Sequence, residues 1–322
     1  MTNTPLRIGL IGAGNVARQH LLALARIPEL QPVALASRTR AKAQALADEF
    51  GVAQVFDTAQ DLVAQARPDA LMVLVSVEHM APVALSCLEF GLPLFLEKPV
   101  GLSSAEGLTV AEAAKRRGVA CMVGYNRRHY SIFARGLARV LERGRLLAVH
   151  VEGSERMPFV RGLNRFPEEV LRGWIFANAT HTIDLLRHFG GEPEEVHALC
   201  ASLSEPRGDQ FAACLRFPGG ITGSYTANWL SPGGWGVTLK GLGVTAEFKP
   251  LETCRVSYAD GTTETLEADE DDRAVKPGFC GQLRAFADMV RSGRLAAPSQ
   301  DLFGALETMR LAERLCADPV KL

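Results

Sequence analysis

Residues 7–17 read RIGLIGAGNVA, and the glycines in that run are spaced to hold a pyrophosphate. Gly12, Gly14 and Ala17 form a G-x-G-x-x-A pattern between an apolar run, Ile8 to Ile11, and a helix-like stretch, Arg18 to Ile27. Gly12 permits the tight turn, Gly14 lets the backbone approach the phosphates, and Ala17 lets the helix pack close to the strand. The helix start, at Asn15, Val16 and Ala17, then offers unpaired N–H groups and a partial positive charge to an anion. Where sites for NAD place Asp or Glu, about 20 residues after the glycines, the chain has Ser37 followed by Arg38. A carboxylate there would repel a ribose 2′-phosphate. Serine and arginine accept one, and Arg38 can also stack on adenine. Thr39 and Lys42 stand close by. The expected cofactor is therefore NADP(H), with NAD(H) as the alternative.

A second cluster, Leu96-Glu97-Lys98-Pro99-Val100, follows the apolar run 92–96. Open α/β sheets bind ligands outside the carboxyl ends of their strands, so Lys98 is placed to reach a substrate hydroxyl. Ser76, at the end of the run 70–76, and Val77 and His79 just after it join Glu97, Lys98 and Asn126 as further candidate cofactor contacts. Arg156, Arg161 and Arg165 fall in a stretch with glycine and proline, 155–167, expected as a loop over the substrate. Bidentate arginines suit a carboxylate or phosphate, which makes Arg161 and Arg165 substrate candidates. Trp174, Trp229 and Trp235 offer faces for a sugar ring, although Trp229 is expected in a sheet core.

These residues need a scaffold. Apolar runs at 7–11, 32–37, 70–76, 92–96 and 119–123 read as strands, with helical stretches at 39–50, 59–66, 81–90 and 104–117 between them. That alternation predicts an α/β Rossmann-type, doubly wound parallel sheet. After a helix near 130–143 the pattern turns strand-rich, at 146–152, 196–202, 210–217, 221–229, 236–240, 245–248, 254–258 and 264–267. This predicts an α+β domain with a mostly antiparallel open sheet, one face covered by helices such as 178–189. Helices return at 279–292 and 301–316. The expected domains are 1–125, for dinucleotide binding, and 126–322, for substrate binding, with the last helices packing back on the first. The acidic run Asp269–Asp272 is expected as a solvated loop.

The 322 residues carry 35 basic and 36 acidic side chains, a net charge of −1, which argues against nucleic acid or an electrostatic membrane anchor as partner. No apolar stretch is long enough to span a bilayer, and the first strand begins too early for a signal peptide. Seven scattered cysteines with no C-x-x-C or Cys/His cluster point to free thiols in the cytoplasm, without a metal site.

Glu97-Lys98-Pro99, taken with the glycine turn, resembles the Gfo/Idh/MocA oxidoreductase family, named after glucose-fructose oxidoreductase and inositol dehydrogenase. The resemblance covers nearly the whole chain. It continues through Gly124-Tyr125-Asn126-Arg127-Arg128 and Thr180-His181-Thr182-Ile183-Asp184-Leu185-Leu186, which looks like the family's G-x-H-x-x-D-L segment. Gly241-Leu242-Gly243 and the tail from Gly304-Ala305-Leu306-Glu307 through Ala312-Glu313 also fit. The resemblance implies a nicotinamide enzyme acting on a sugar, polyol, sugar acid or nucleotide sugar. It implies that Lys98 orients or deprotonates the reacting hydroxyl, that Glu97 faces the nicotinamide, and that His181 exchanges the proton, a role suited to its near-neutral pKa. Asn126 and Asn178 would position substrate. By the same analogy the protein pairs through the outer face of its second sheet, as a homodimer or homotetramer. One departure stands out: family members often carry aspartate four residues before the histidine, and here that residue is Ala177. Two alternatives therefore stay open, a non-catalytic dinucleotide-binding regulator or degenerate paralogue, and a cofactor-assisted glycosidase.

Overall fold

The computed structural model describes residues 4–322. The chain opens with β1 (Leu6–Ile11), α1 (Asn15–Leu24), β2 (Leu30–Ala36), α2 (Arg40–Phe50), β3 (Gln54–Phe56) and α3 (Ala59–Ala66). Next come β4 (Ala70–Val73), α4 (Val77–Leu88), β5 (Leu94–Leu96), α5 (Ser104–Arg117) and β6 (Cys121–Val123). It continues with α6 (Ser131–Leu141), β7 (Leu146–Ser154), the short α7 (Met157–Gly162) and α8 (Glu168–Arg172), a π-turn at Ile175–Ala179, and α9 (Thr180–Gly190). The strands β8 (Glu195–Ser202), β9 (Gln210–Phe217), β10 (Ile221–Asn228) and β11 (Gly234–Gly241) follow, then β12 (Val244–Phe248), β13 (Cys254–Tyr258) and β14 (Thr263–Leu266). Last are α10 (Glu270–Ala274), α11 (Phe279–Ser292), α12 (Leu302–Leu315) and β15 (Val320–Lys321). Two compact units result: the residues up to His129 together with Asp271–Leu306, and Tyr130–Glu270 together with Glu307–Leu322.

The first unit is a parallel six-stranded sheet in the order β3-β2-β1-β4-β5-β6. Its strands are nearly continuous apolar runs because both faces are covered. On one face Ile8, Leu10, Met72, Phe95 and Met122 pack with Leu21 and Leu24 of α1 and with Phe279, Leu283 and Phe286 of α11. On the other, Ile11, Leu71, Val73, Leu94 and Leu96 pack with residues of α3, α4 and α5. The order reverses direction on either side of β1 and β4, which leaves a crevice outside their carboxyl ends, where such folds bind ligands.

The second unit holds a nine-stranded sheet, β14-β13-β12-β11-β7-β10-β9-β8-β15. It is mostly antiparallel; β7 with β10 and β8 with β15 are the parallel pairs. Alternation is clean in β9, where Phe211, Ala213, Leu215 and Phe217 are buried and Ala212, Cys214 and Arg216 are exposed. The buried faces meet α6 and α9 over a core that includes Phe133, Phe248, Tyr225 and Trp229.

Three local expectations differ from the structure. Strand β3 was not anticipated: three residues, Gln54-Val55-Phe56, are too few for a period. The stretch 155–167 is not all loop, since Pro158 at the start of α7 has a φ already set for a helix. The acidic run is not a solvated loop but enters α10. There Asp271 pairs with Arg26 and Arg284, and the buried Asp272 accepts the backbone N–H of Gly278 at 2.6 Å.

Candidate active site

In the first unit the candidate cofactor residues gather at the carboxyl edge of the sheet. Gly12 follows β1 with φ of +115°, and a β-carbon there would lie 2.6 Å from the Leu74 carbonyl oxygen, so conformation and space both demand glycine. Gly14 is different. Its φ suits any residue, but a β-carbon on it would meet nothing within 4 Å. The space in front of it is open, on the side where α1 begins with no side-chain cap and no acidic residue in its first turn. A pyrophosphate fits that cradle of backbone donors. At the end of β2, Ser37 Oγ accepts the Thr39 N–H at 3.2 Å. Arg38, Thr39 and Lys42 are exposed, and the side chains of Arg38 and Lys42 make no hydrogen bond or ion pair among the described residues. Past β4, Ser76 precedes α4 and donates to Glu78 at 2.6 Å, with His79 Nδ1 3.4 Å from the same carboxylate.

Glu97 and Lys98 follow β5, and Asn126 follows β6, the neighbouring strand. Gly124 lies so close that a β-carbon on it would be 3.3 Å from Glu97 Oε1. Asn126 is buried and donates through Nδ2 to the Pro277 carbonyl at 2.9 Å. Glu97 also meets a residue that sequence reasoning missed. His20, fully buried on α1, places Nε2 2.7 Å from Glu97 Oε1. A signal for it existed: His20 shares the core-facing stripe Ala17, Leu21, Leu24, and a polar group there needs a partner. Burial alone would push the Glu97 carboxyl up, but the His20 hydrogen bond and the charges of His20, Lys276 and Lys98 hold it below the usual carboxylate range. Lys276, from the segment before α11, is a second residue the sequence reading missed.

In the second unit His181 stands in the first turn of α9, buried, with the Trp235 ring centroid 6.1 Å from its own. Asn178 lies on the π-turn just before, and its Nδ2 donates to Glu155 Oε1 at 2.7 Å. Helix α9 approaches the sheet closely because β7 has Gly153 below it: a β-carbon there would lie 2.7 Å from Thr182 Oγ1 and would collide with the Tyr225 hydroxyl. Trp174 and Trp229 are buried in the core, their indole N–H groups without a hydrogen-bond partner among the described residues. Of the two candidate arginines, Arg161 is tied to carboxylates of its own unit. It donates through Nε and Nη2 to the buried Glu205 at 2.7 and 2.8 Å and through Nη1 to Glu168 at 2.9 Å. Arg165 is exposed and makes no such contact among the described residues. Lys98 belongs to the first unit and His181 to the second.

All seven cysteines are free thiols. Burial pushes Cys87, Cys121 and Cys254 up to about 12, so they are not nucleophiles near neutral pH. No helix among the described residues is long and apolar enough to cross a membrane.

The family model described as "Oxidoreductase family, NAD-binding Rossmann fold" matches residues 6–125, and the GFO/IDH/MocA C-terminal domain matches residues 134–248. The chain belongs to the GFO/IDH/MocA oxidoreductase family. Among curated relatives it is 24% identical to scyllo-inositol 2-dehydrogenase (NAD(+)) of Bacillus subtilis, over 90% of this chain and 87% of that protein. It is 22% identical to D-xylose 1-dehydrogenase (NADP(+)) 2 of Haloferax volcanii, over 96% of each. Among solved structures, a dehydrogenase from Chromobacterium violaceum superposes with a TM-score of 0.83 at 22% identity, covering 98% of this chain and 95% of that one. Levoglucosan dehydrogenase in complex with NADH gives 0.82 at 18% identity, covering 97% and 96%. Relatives of this GFO/IDH/MocA chain thus include both NAD and NADP users, and sugar and polyol dehydrogenases are among them.

Proposed function

We propose that this protein interconverts a hydroxyl and a carbonyl on a sugar-like substrate, using a nicotinamide dinucleotide with NADP(H) preferred. The observation that carries the reading is the bond from His20 to Glu97. It ties the helix whose open start fits the phosphates to the strand end that bears Lys98. When bound, the nicotinamide accepts or returns the hydride, so no protein nucleophile is required. Lys98 orients the substrate hydroxyl and His181 takes or gives its proton. Asn126 and Asn178 serve as polar positioning groups for the substrate, and Arg165, exposed and without a hydrogen bond or ion pair among the described residues, suits an anionic substrate. The NADP(H) preference is supported by Ser37 and Arg38 in place of an acidic residue.

Two further readings follow from the surface and the thiols. The outer face of the second sheet carries Leu199, 78% exposed, opposite the exposed Ala212. We read it as the self-association surface of a homodimer or homotetramer. The seven free thiols suit a reducing cytoplasm.

Absorbance at the nicotinamide band tests the main reading on a panel of inositols, pentoses, levoglucosan and glucosides. Net cofactor turnover supports it. Product without net cofactor change marks a glycosidase-like route, and cofactor binding without product marks a non-catalytic protein.

A further inference from the structure

A buried carboxylate at the end of β7 has no part in the reading above. Val149, Val151 and Gly153 alternate onto the helix-covered face of that strand, and Glu155, next in the period, stays buried after the strand has ended. Its Oε1 is held by Asn178 Nδ2 at 2.7 Å, and Asn178 stands three residues before His181, about one helical turn. From β10, Tyr225 reaches the same place. Its hydroxyl is 3.2 Å from Thr182 Oγ1, and burial first, then the negative charge of Glu155, raise its pKa. From β11, Trp235 pairs with Gly153 and faces His181. Asp184, on His181's own helix, accepts from Thr308 Oγ1 at 2.8 Å with Arg187 at 3.6 Å, and Glu152 alternates to the opposite face of β7, where Lys249 pairs with it. Position 177 is alanine.

We propose that Glu155, oriented by Asn178, is the positioning carboxylate for His181. The inference rests on the proton-transfer role given to His181 above. In the oxidative direction the hydroxyl proton of the substrate passes to the His181 imidazole and then to solvent, while a bound nicotinamide would supply the hydride acceptor. No bond to Glu155 forms or breaks. Its fixed negative charge favours the imidazolium at the moment the proton arrives, and the amide of Asn178, a donor that cannot itself ionise, keeps the carboxylate aimed.

The test is an NMR titration of the His181 imidazole in the full chain, its signal assigned by loss in His181→Asn, combined with steady-state kinetics. Glu155→Gln is expected to move the titration to lower pH and to lower kcat by about tenfold or more with KM little changed. Adding Ala177→Asp to that variant is expected to restore both in part, a rescue that a merely structural role would not give. If Glu155→Gln leaves the titration and kcat where they were, the proposal is wrong. Should that variant fail to fold, Asn178→Ala carries the test: a smaller shift in the same direction supports the assignment and no shift overturns it. A wild-type protein that neither binds nor turns over nicotinamide nucleotides defeats the functional reading alone, because the titration still decides the role of Glu155.

Discussion

The two units build their sites from different materials. In the first, the cradle at Gly12 and Gly14 is made of backbone: a tight turn, an absent side chain and the uncapped start of α1. In the second, the start of α9, which carries His181, is met by side chains from the segment after β7, the π-turn, β10 and β11. A backbone site fails when atoms are added to it. A side-chain site fails when atoms are taken away.

That contrast can be broken or sharpened by four measurements. The largest effect is expected from His181→Ala. A positioned general acid or base contributes about 10²–10⁴ in rate, so kcat should fall by that range while cofactor affinity, measured by calorimetry, holds. Full activity in this variant would leave Lys98 as the proton-handling group. Next comes Arg38→Ala. Losing one charge-assisted phosphate contact costs about 1.5–3 kcal/mol, which should appear in NADPH binding and not in NADH binding. Equal losses would show that Arg38 does not read a 2′-phosphate.

The third is Gly14→Ala, an addition instead of a deletion. The protein itself has room for the methyl group, so Tm should stay within a few degrees. Overpacking against a bound pyrophosphate costs about 1–3 kcal/mol, so both dinucleotides should bind more weakly. Unchanged affinity would place the phosphates elsewhere. The smallest effect on catalysis separates the two arginines. Arg161→Ala leaves the buried Glu205 without its bidentate partner and should cost about 1–3 kcal/mol of stability in denaturant titration, whereas Arg165→Ala should leave stability alone and raise KM for an anionic substrate. A raised KM with unchanged stability in Arg161→Ala would reverse that assignment.

Legibility in the sequence divides along the same line. The parallel sheet and its glycine turn could be read because strand, turn and helix are contiguous in the chain and each residue's role follows from its immediate neighbours. That Glu97-Lys98 and Asn126 stand at strand ends could be read, because each follows a strand within a few residues. His20 left only its place on the buried stripe of α1, and nothing local named Glu97 as its partner. Glu155 and Asn178 are 23 residues apart, and their contact depends on how closely α9 settles on β7, which rests on Gly153. Arg161 was read by composition, as a cation in a Gly/Pro stretch. Glu205, its partner, lies 44 residues further on, and no periodicity links the two.

The discontinuity of the first unit has a consequence for synthesis. The face of its sheet that carries Ile8, Leu10, Phe95 and Met122 is closed in part by Phe279, Leu283 and Phe286 of α11. When β6 leaves the ribosome, that helix has not been made, and the Tyr130–Glu270 part of the second unit must emerge before it can dock. During that interval an apolar sheet face is exposed to other nascent chains and to chaperones. A fragment ending near residue 129 should therefore aggregate, and a helix equivalent to residues 279–292, supplied as a separate peptide, should restore its solubility.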